Sequence, residues 1–348
     1  MKYPLKAILG YLAQYFYLSN FIITPIGMQQ APWYLPNGHF QTIIPSLLRQ
    51  PARVKYTRQR INTPDGDFLD LDWAFTRNKK FSSQPLIIIS HGLEGDSQRP
   101  YVKGMAKAFL VEGYDVLAWN YRGCSGEPNH KVRFYHSGAT EDLATVLEHA
   151  YKNNYEQIIL LGFSLGGNLT LKYAGEQQEN ISPKIKAAIA ISTPVDLSGS
   201  SSELAKPHNR IYELRFLRNL RKKLHAKLAK IPDAYDIDKF KEIKSLKDFD
   251  DAYTSKLHGY TDAEDYYSQC NSLQVLAQIN IPTLLLNAKN DPFLSEKCFP
   301  DKEFANHPYV NVEITEVGGH VGFSMGNGKY YSEERAVEFV AEKADLCP

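Results

Sequence analysis

The stretch Ile158-Ile159-Leu160-Leu161-Gly162-Phe163-Ser164-Leu165-Gly166-Gly167-Asn168-Leu169-Thr170 decides how the chain is organised. Its first four residues form a continuous apolar run, as a buried parallel strand requires. The run stops at Gly162, a serine follows, and a helical apolar pattern begins with Leu165, Leu169 and Leu171. Gly-x-Ser-x-Gly between a strand and a helix reads as a sharp turn whose strained backbone lifts the Ser164 hydroxyl clear of the sheet edge. Glycines are needed there because a Cβ on either flank would strike the neighbouring strand or helix. The helix also aims its amides and the positive end of its dipole at the hydroxyl. The pentapeptide alone is a weak signal. Its setting, with a third glycine at Gly167, points to Ser164 as a nucleophile.

Strands and helices alternate outward from this turn. Leu86-Ile87-Ile88-Ile89 is a second buried strand, emptying into Ser90-His91-Gly92-Leu93-Glu94-Gly95. Helices are expected over 102–111 and 140–151, and strands over 115–119, 185–191, 283–287 and 310–314. A final helix is expected over 332–344. Alternating residues in 54–61 and 68–75 around Pro64-Asp65-Gly66 predict a β-hairpin. The aromatic stretch 32–43, with its prolines and Asn37-Gly38, reads as a loop that packs on the domain. Together these predict an α/β fold with a mostly parallel, doubly wound sheet.

The rhythm breaks between 194 and 273, where helical, charge-rich stretches replace buried strands. Ile211, Leu214, Leu217, Leu220, Leu224 and Leu228 form an apolar stripe at helical spacing. Arg215, Arg218, Arg221, Lys222, Lys223 and Lys227 crowd the other faces. A basic amphipathic helix can bind a membrane surface, but a cap helix packed on its neighbours is the favoured reading. The chain therefore divides into an apolar segment at 1–31, a core over 32–193, an inserted helical lid over 194–273, and the rest of the core over 274–348.

With 348 residues, 43% of them hydrophobic, the chain can bury a sizeable core. A net charge of +1 supplies no global field for nucleic acid. Cys124, Cys270, Cys298 and Cys347 are far apart, which fits neither a zinc site nor a disulfide framework. A reducing, cytoplasmic setting is expected. The segment 1–31 is broken by Gln14, Ser19, Asn20 and Pro25, marginal for a spanning helix. Packing on the domain is the expectation, with peripheral membrane contact as its rival. A monomer is favoured over an assembly.

A serine hydroxyl needs a base beside it, and that base a third group that fixes its tautomer. After a nucleophile elbow the chain order is serine, acid, histidine. Asp291, just beyond the strand ending at Asn287, supplies the acid. His320, in the glycine-rich Gly318-Gly319-His320-Val321-Gly322, supplies the base. The backbone amides of Leu165 and Leu93 are the expected oxyanion donors. Glu94 is expected to turn away from the oxyanion and fix its loop. No Gly-x-Gly-x-x-Gly, phosphate loop or metal-ligand cluster appears, so no cofactor or metal is expected.

Several stretches resemble the α/β-hydrolase superfamily, and within it the YheT-like family of carboxylesterases. They are Leu35-Pro36-Asn37-Gly38-His39-Phe40-Gln41-Thr42, His91-Gly92-Leu93-Glu94-Gly95, residues 120–129 with Arg122-Gly123-Cys124-Ser125-Gly126-Glu127-Pro128-Asn129, Tyr135-His136-Ser137-Gly138, the elbow, and Phe249-Asp250-Asp251. The resemblance implies the same Ser164, Asp291 and His320. It also implies a serine carboxylesterase that acts on a small or medium-chain acyl ester. Relatives of this kind include acyltransferases, but a His-x-x-x-x-Asp motif is absent at His136 and His320, which favours hydrolysis. A hydrolase fold kept as a binding module is the remaining alternative. His39, Arg122, Glu127 and Asn129 are expected to buttress loops at the sheet edge.

Overall fold

The apolar runs form strands: β1 (Thr57–Asn62), β2 (Phe68–Ala74), β3 (Leu86–Ser90), β4 (Asp115–Asn120), β5 (Ile158–Phe163), β6 (Ile185–Ile191), β7 (Thr283–Ala288) and β8 (Val310–Thr315). In this computed structural model, which describes residues 30–77, 83–232 and 234–344, they make one sheet in the order β1-β2-β4-β3-β5-β6-β7-β8. From β4 to β8 every pairing is parallel; β2 runs antiparallel to both β1 and β4. Residues 1–29 and Cys347 lie outside the described residues, as does nearly all of the apolar segment expected to pack on the domain. Cys124, Cys270 and Cys298 are free.

The main helices are α1 (Gly38–Leu48), α2 (Pro100–Val111), α3 (Thr140–Lys152), α4 (Leu165–Gln177), α5 (Leu197–Leu204), α6 (Arg210–Leu228), α7 (Ala263–Cys270) and α8 (Tyr331–Lys343). Strands buried on both faces need cover on both. One core cluster joins α3 and α4 to the sheet through Leu143, Val146, Leu147, Leu169 and Leu171. On the other face Val102, Met105 and Phe109 of α2 and Ala336, Phe339 and Val340 of α8 do the same.

Stretch 32–43 departs from the sequence reading. It is a loop only as far as Asn37, after which α1 begins. The Asn37 side chain accepts hydrogen bonds from the amides of His39 and Phe40, so Asn-Gly here is a helix cap rather than a turn. The chain between β6 and β7 is helical, as expected, and extends as a 3-10 turn to Gln278. Within α6 the apolar stripe divides. Leu217, Leu220 and Leu224 pack with Phe134, Phe240 and Phe249, while Ile211 and Leu214 are exposed. Lys223 and Lys227 do not share the solvent faces with the other cations. Lys227 is buried, with its ammonium on the carbonyls of Asn129 and Lys131 and the Asn129 side chain. Long stems let both lysines reach polar partners beneath the helix.

A buried ion cluster ties the family-like stretches together. Arg122 donates to both carboxylate oxygens of Asp142 at 2.8 and 2.6 Å, and to Asp65 and Asp67 at 2.8 and 3.1 Å. Asp67 also accepts from Asn129 and from the amides of His130 and Lys131. Burial would raise Asp67, but these hydrogen bonds outweigh it and hold the carboxyl below its ordinary value. Glu127 bridges Arg60 and Lys230. Arg122, Glu127 and Asn129 thus hold the hairpin, the 120–133 loop and α6 to one another.

Arg122→Met would leave Asp142 and Asp67 buried without their cation. Urea unfolding should show a loss of about 3–5 kcal/mol. A loss within the scatter of surface substitutions would mean that the cluster is not a fastening point.

Candidate active site

Strand β5 ends at Phe163, and Ser164 takes a left-handed backbone (φ 54°, ψ −120°) before α4 begins at Leu165. Non-glycine residues seldom occupy this region, and the surroundings enforce it. A Cβ on Gly162 would lie 2.0 Å from the Gly166 carbonyl oxygen, and one on Gly166 would lie 2.4 Å from that of Ser90. Chain passage at this turn therefore requires both glycines.

Asp291 follows β7 at the sheet's edge, and His320 lies in the loop after β8. The structure brings both to Ser164. The Ser164 Oγ is 2.9 Å from His320 Nε2, and His320 Nδ1 is 2.8 Å from Asp291 Oδ2. With the Nδ1 proton on the Asp291 side, Nε2 is free to accept from the hydroxyl. The other Asp291 oxygen accepts from the Phe293 amide, and the Phe293 ring lies 4.2 Å from the imidazole.

Helix α1 holds both loops. Thr42 Oγ1 accepts from the His320 amide at 2.8 Å and donates to the Gly38 carbonyl. Gln41 Oε1 accepts from the Asn290 side chain and from the Gly318 amide, at 3.0 and 2.8 Å. The Asn290 side chain in turn accepts from the Gly319 amide. Ser192 Oγ, at the end of β6, accepts from the Val321 amide. Gly38 abuts this bundle so closely that a Cβ would sit 1.8 Å from the Asn290 carbonyl oxygen. His39 is placed elsewhere than expected: its Nδ1 meets the Tyr212 hydroxyl at 3.1 Å and ties α1 to α6. The sequence reading missed Gln41 and Thr42; a cap signal at Asn37 was the available clue.

Loop 91–95 runs beside Ser164: a Cβ on Gly92 would approach that of Ser164 to 3.2 Å. The amides of Leu93 and Leu165 have no acceptor among the described residues. Glu94 fixes the loop, as expected. Its amide donates to the Tyr135 hydroxyl, its carbonyl accepts from Arg99, and its carboxylate accepts from Tyr135 and from Lys223 of α6, both at 2.7 Å.

Ser164 and His320 stand where two cavities meet. A cleft of about 530 Å³ opens between α1 and α6, lined by Ile43, Leu47, Tyr101, Ile211 and Leu214 among others. A smaller chamber of about 120 Å³ runs under the inserted helices, among Leu197, Leu204, Leu220, Phe249 and Tyr267. Asp250 lines this chamber, in a stretch of π-helix, and donors from Tyr267 reach it at 2.7 Å. Burial pushes its carboxyl up to about 6. Spacing gave it no role.

The family model described as alpha/beta hydrolase fold matches residues 85–324, and the chain belongs to that family. YheT of Escherichia coli strain K12, whose name marks it as an unproven esterase, is 36% identical over 83% of this chain and 85% of its own. The phospholipase ABHD3 of Bos taurus is 31% identical, covering 82% and 71%. The Pyrococcus furiosus esterase Pf2001 superposes with a TM-score of 0.54 at 19% identity, covering 83% of this chain and 93% of that one. The chain is thus an enzyme of the ester-hydrolase type, close to YheT. Among the described residues no group of three or more potential ligands could hold a metal ion, and no helix is long and apolar enough to cross a membrane.

His91, buried at the start of the 91–95 loop, gives a stability prediction. Its Nδ1 donates to the Gly92 carbonyl and its Nε2 faces the Tyr121 amide, so the ring is used as a neutral imidazole. Burial pushes it down to about 3 from 6.5. The unfolded chain binds the proton at the higher value, so this contribution is whole above pH 6.5 and is lost as pH falls toward 3. His91→Asn, which keeps the Nδ1-side donor, should flatten the acid limb of unfolding free energy by about 1.4 kcal/mol per pH unit. Parallel limbs in urea titrations of the two proteins would show that His91 titrates normally.

Proposed function

We propose that the protein is a serine carboxylesterase acting on a small or medium-chain acyl ester. The observation that carries this reading is the unbroken Ser164–His320–Asp291 hydrogen-bond chain at the junction of cleft and chamber. Ser164 Oγ attacks the ester carbonyl as His320 Nε2 takes its proton. Asp291 holds the ring in the reactive tautomer and stabilises the imidazolium. The amides of Leu93 and Leu165 receive the charge that develops on the carbonyl oxygen, and the α4 dipole reinforces them. His320 then returns the proton to the departing alcohol. Water, activated by the same nitrogen, frees the acid from Ser164.

The two cavities give each half of an ester its own space, with the inserted helices over 194–273 acting as the lid. An apolar cavity of about 150 Å³ takes a benzene ring. The inner chamber, at about 120 Å³, suits a chain of roughly four or five carbons. The open cleft suits the bulkier half. The relatives named phospholipase and, in Saccharomyces cerevisiae, monoacylglycerol lipase support a lipid-derived ester.

A p-nitrophenyl ester series should show one optimum acyl length. Ser164→Ala should lose about a millionfold in kcat and all labelling by a fluorophosphonate. Asp291→Asn should retain labelling but fall about ten-thousandfold. Turnover that survives in Ser164→Ala would remove the acyl-enzyme from the reaction.

In a separate test of the α1 clamp, Thr42→Val should lower kcat by about tenfold to a hundredfold with little change in KM, because the His320 amide loses its acceptor. An unchanged kcat would mean that the loop holds the base unaided.

A further inference from the structure

The mouth of the cleft carries a surface chemistry that ester cleavage does not require. Helices α1 and α6 flank it, joined at their N-terminal ends by the stacked His39 and Tyr212 rings. Leu47 on one side and Ile211 and Leu214 on the other line it, at 65%, 67% and 50% exposure. Leu48 beside them is 70% exposed. Single exposed leucines need no explanation, but a contiguous collar around an apolar cavity marks a contact surface.

The charges on this rim are of one sign. Arg215 and Arg218 line the mouth, are exposed, and meet no carboxylate among the described residues. Arg221 and Lys222, one turn further along α6, are also exposed and without an acidic partner. Among the described residues the lone carboxylate lining the cleft is Glu94, and Lys223 and Tyr135 already engage it. With a net charge of +1 for the whole chain, this is a local basic face rather than a general excess.

We propose that the α1–α6 rim docks on the surface of an anionic lipid bilayer. The collar would enter the boundary between headgroups and acyl chains while the arginines pair with lipid phosphates, as basic amphipathic helices do at interfaces. A bilayer fits better than an acidic protein because the exposed Leu47, Ile211 and Leu214 line a cavity that opens on Ser164. A lipid leaving the membrane there reaches the hydroxyl through a mostly apolar cleft, whereas a protein on the same rim would plug it. Docking does not depend on the proposed hydrolysis and can be measured equally with Ser164→Ala.

The test is co-sedimentation of the full chain with vesicles of phosphatidylcholine alone and of phosphatidylcholine mixed with phosphatidylglycerol. Binding should appear on the mixed vesicles and weaken as salt is raised. The double variant Arg215→Gln/Arg218→Gln should lower partition roughly thirtyfold, at about 1 kcal/mol per arginine. Leu47→Ser/Ile211→Ser should lower it at least tenfold by removing buried apolar surface. Unchanged thermal melting certifies each variant's fold, and either variant alone decides the matter. Absence of vesicle binding, or equal binding to neutral vesicles, would overturn the proposal. So would wild-type partition by either folded variant, which would locate attachment away from this rim.

Discussion

The molecule is arranged around one crowded point, where β5 turns into α4 with no room for a side chain at Gly162 or Gly166 on either side of Ser164. The Gly166 carbonyl occupies the space a Cβ on Gly162 would need, and the Ser90 carbonyl does the same to Gly166. The turn can be this tight only because β3 and β5 are hydrogen-bonded in register up to Ser90 and Gly162. That closeness forces Ser164 to a positive φ, which thrusts its hydroxyl out of the sheet. Strain here is balanced by the packing of two helices and five parallel strands around it, which is why it sits in the middle of the sheet and not at an edge.

The other two groups of the relay arrive on loops, and loops do not hold a sub-ångström geometry unaided. Helix α1 provides what they lack. Gln41 bridges the Asp291 loop and the His320 loop, and its neighbour Thr42 holds the His320 amide, so one short helix sets the spacing of Asp291 and His320. A glycine at 38 lets that helix approach the Asn290 backbone, and Asn37 starts it. The stretch Leu35 to Thr42 is thus a clamp for the site although no atom of it takes part in the relay.

The buried strands, the elbow and the chain order of Ser164, Asp291 and His320 were legible because each has a local signature: apolar runs of strand length, glycines flanking a serine, a fixed order after a strand end. What escaped has no such signature. Asn-Gly serves a turn and a helix cap through the same side-chain chemistry, so 38–43 read as loop. Periodicity along α6 reported where apolar residues recur, but not that one half of the stripe faces the inserted helices and the other half the cleft. Lys223 and Lys227 look like solvent-facing cations until their partners are known, and those partners lie about a hundred residues upstream. Asp250 is polar in an otherwise ordinary helical stretch; only the chamber wall it joins distinguishes it.

The placement of Lys223 bears on how the site can open. Its ammonium lies on the Glu94 carboxylate and the Cys124 sulfur, and over the Tyr135 ring, so the inserted helices and the 91–95 loop share one buried ion pair. Lys227 adds a second fastening to the 129–131 backbone, and Lys230 reaches Glu127 at the surface. Swinging α6 away as a rigid flap would separate the buried Glu94–Lys223 ion pair, at a cost of several kcal/mol before any apolar contact is counted. The same swing would release Glu94, the residue next to Leu93. A site built this way is not opened by lifting its cover. The open route to Ser164 is the cleft between α1 and α6, two helices linked there by His39 and Tyr212.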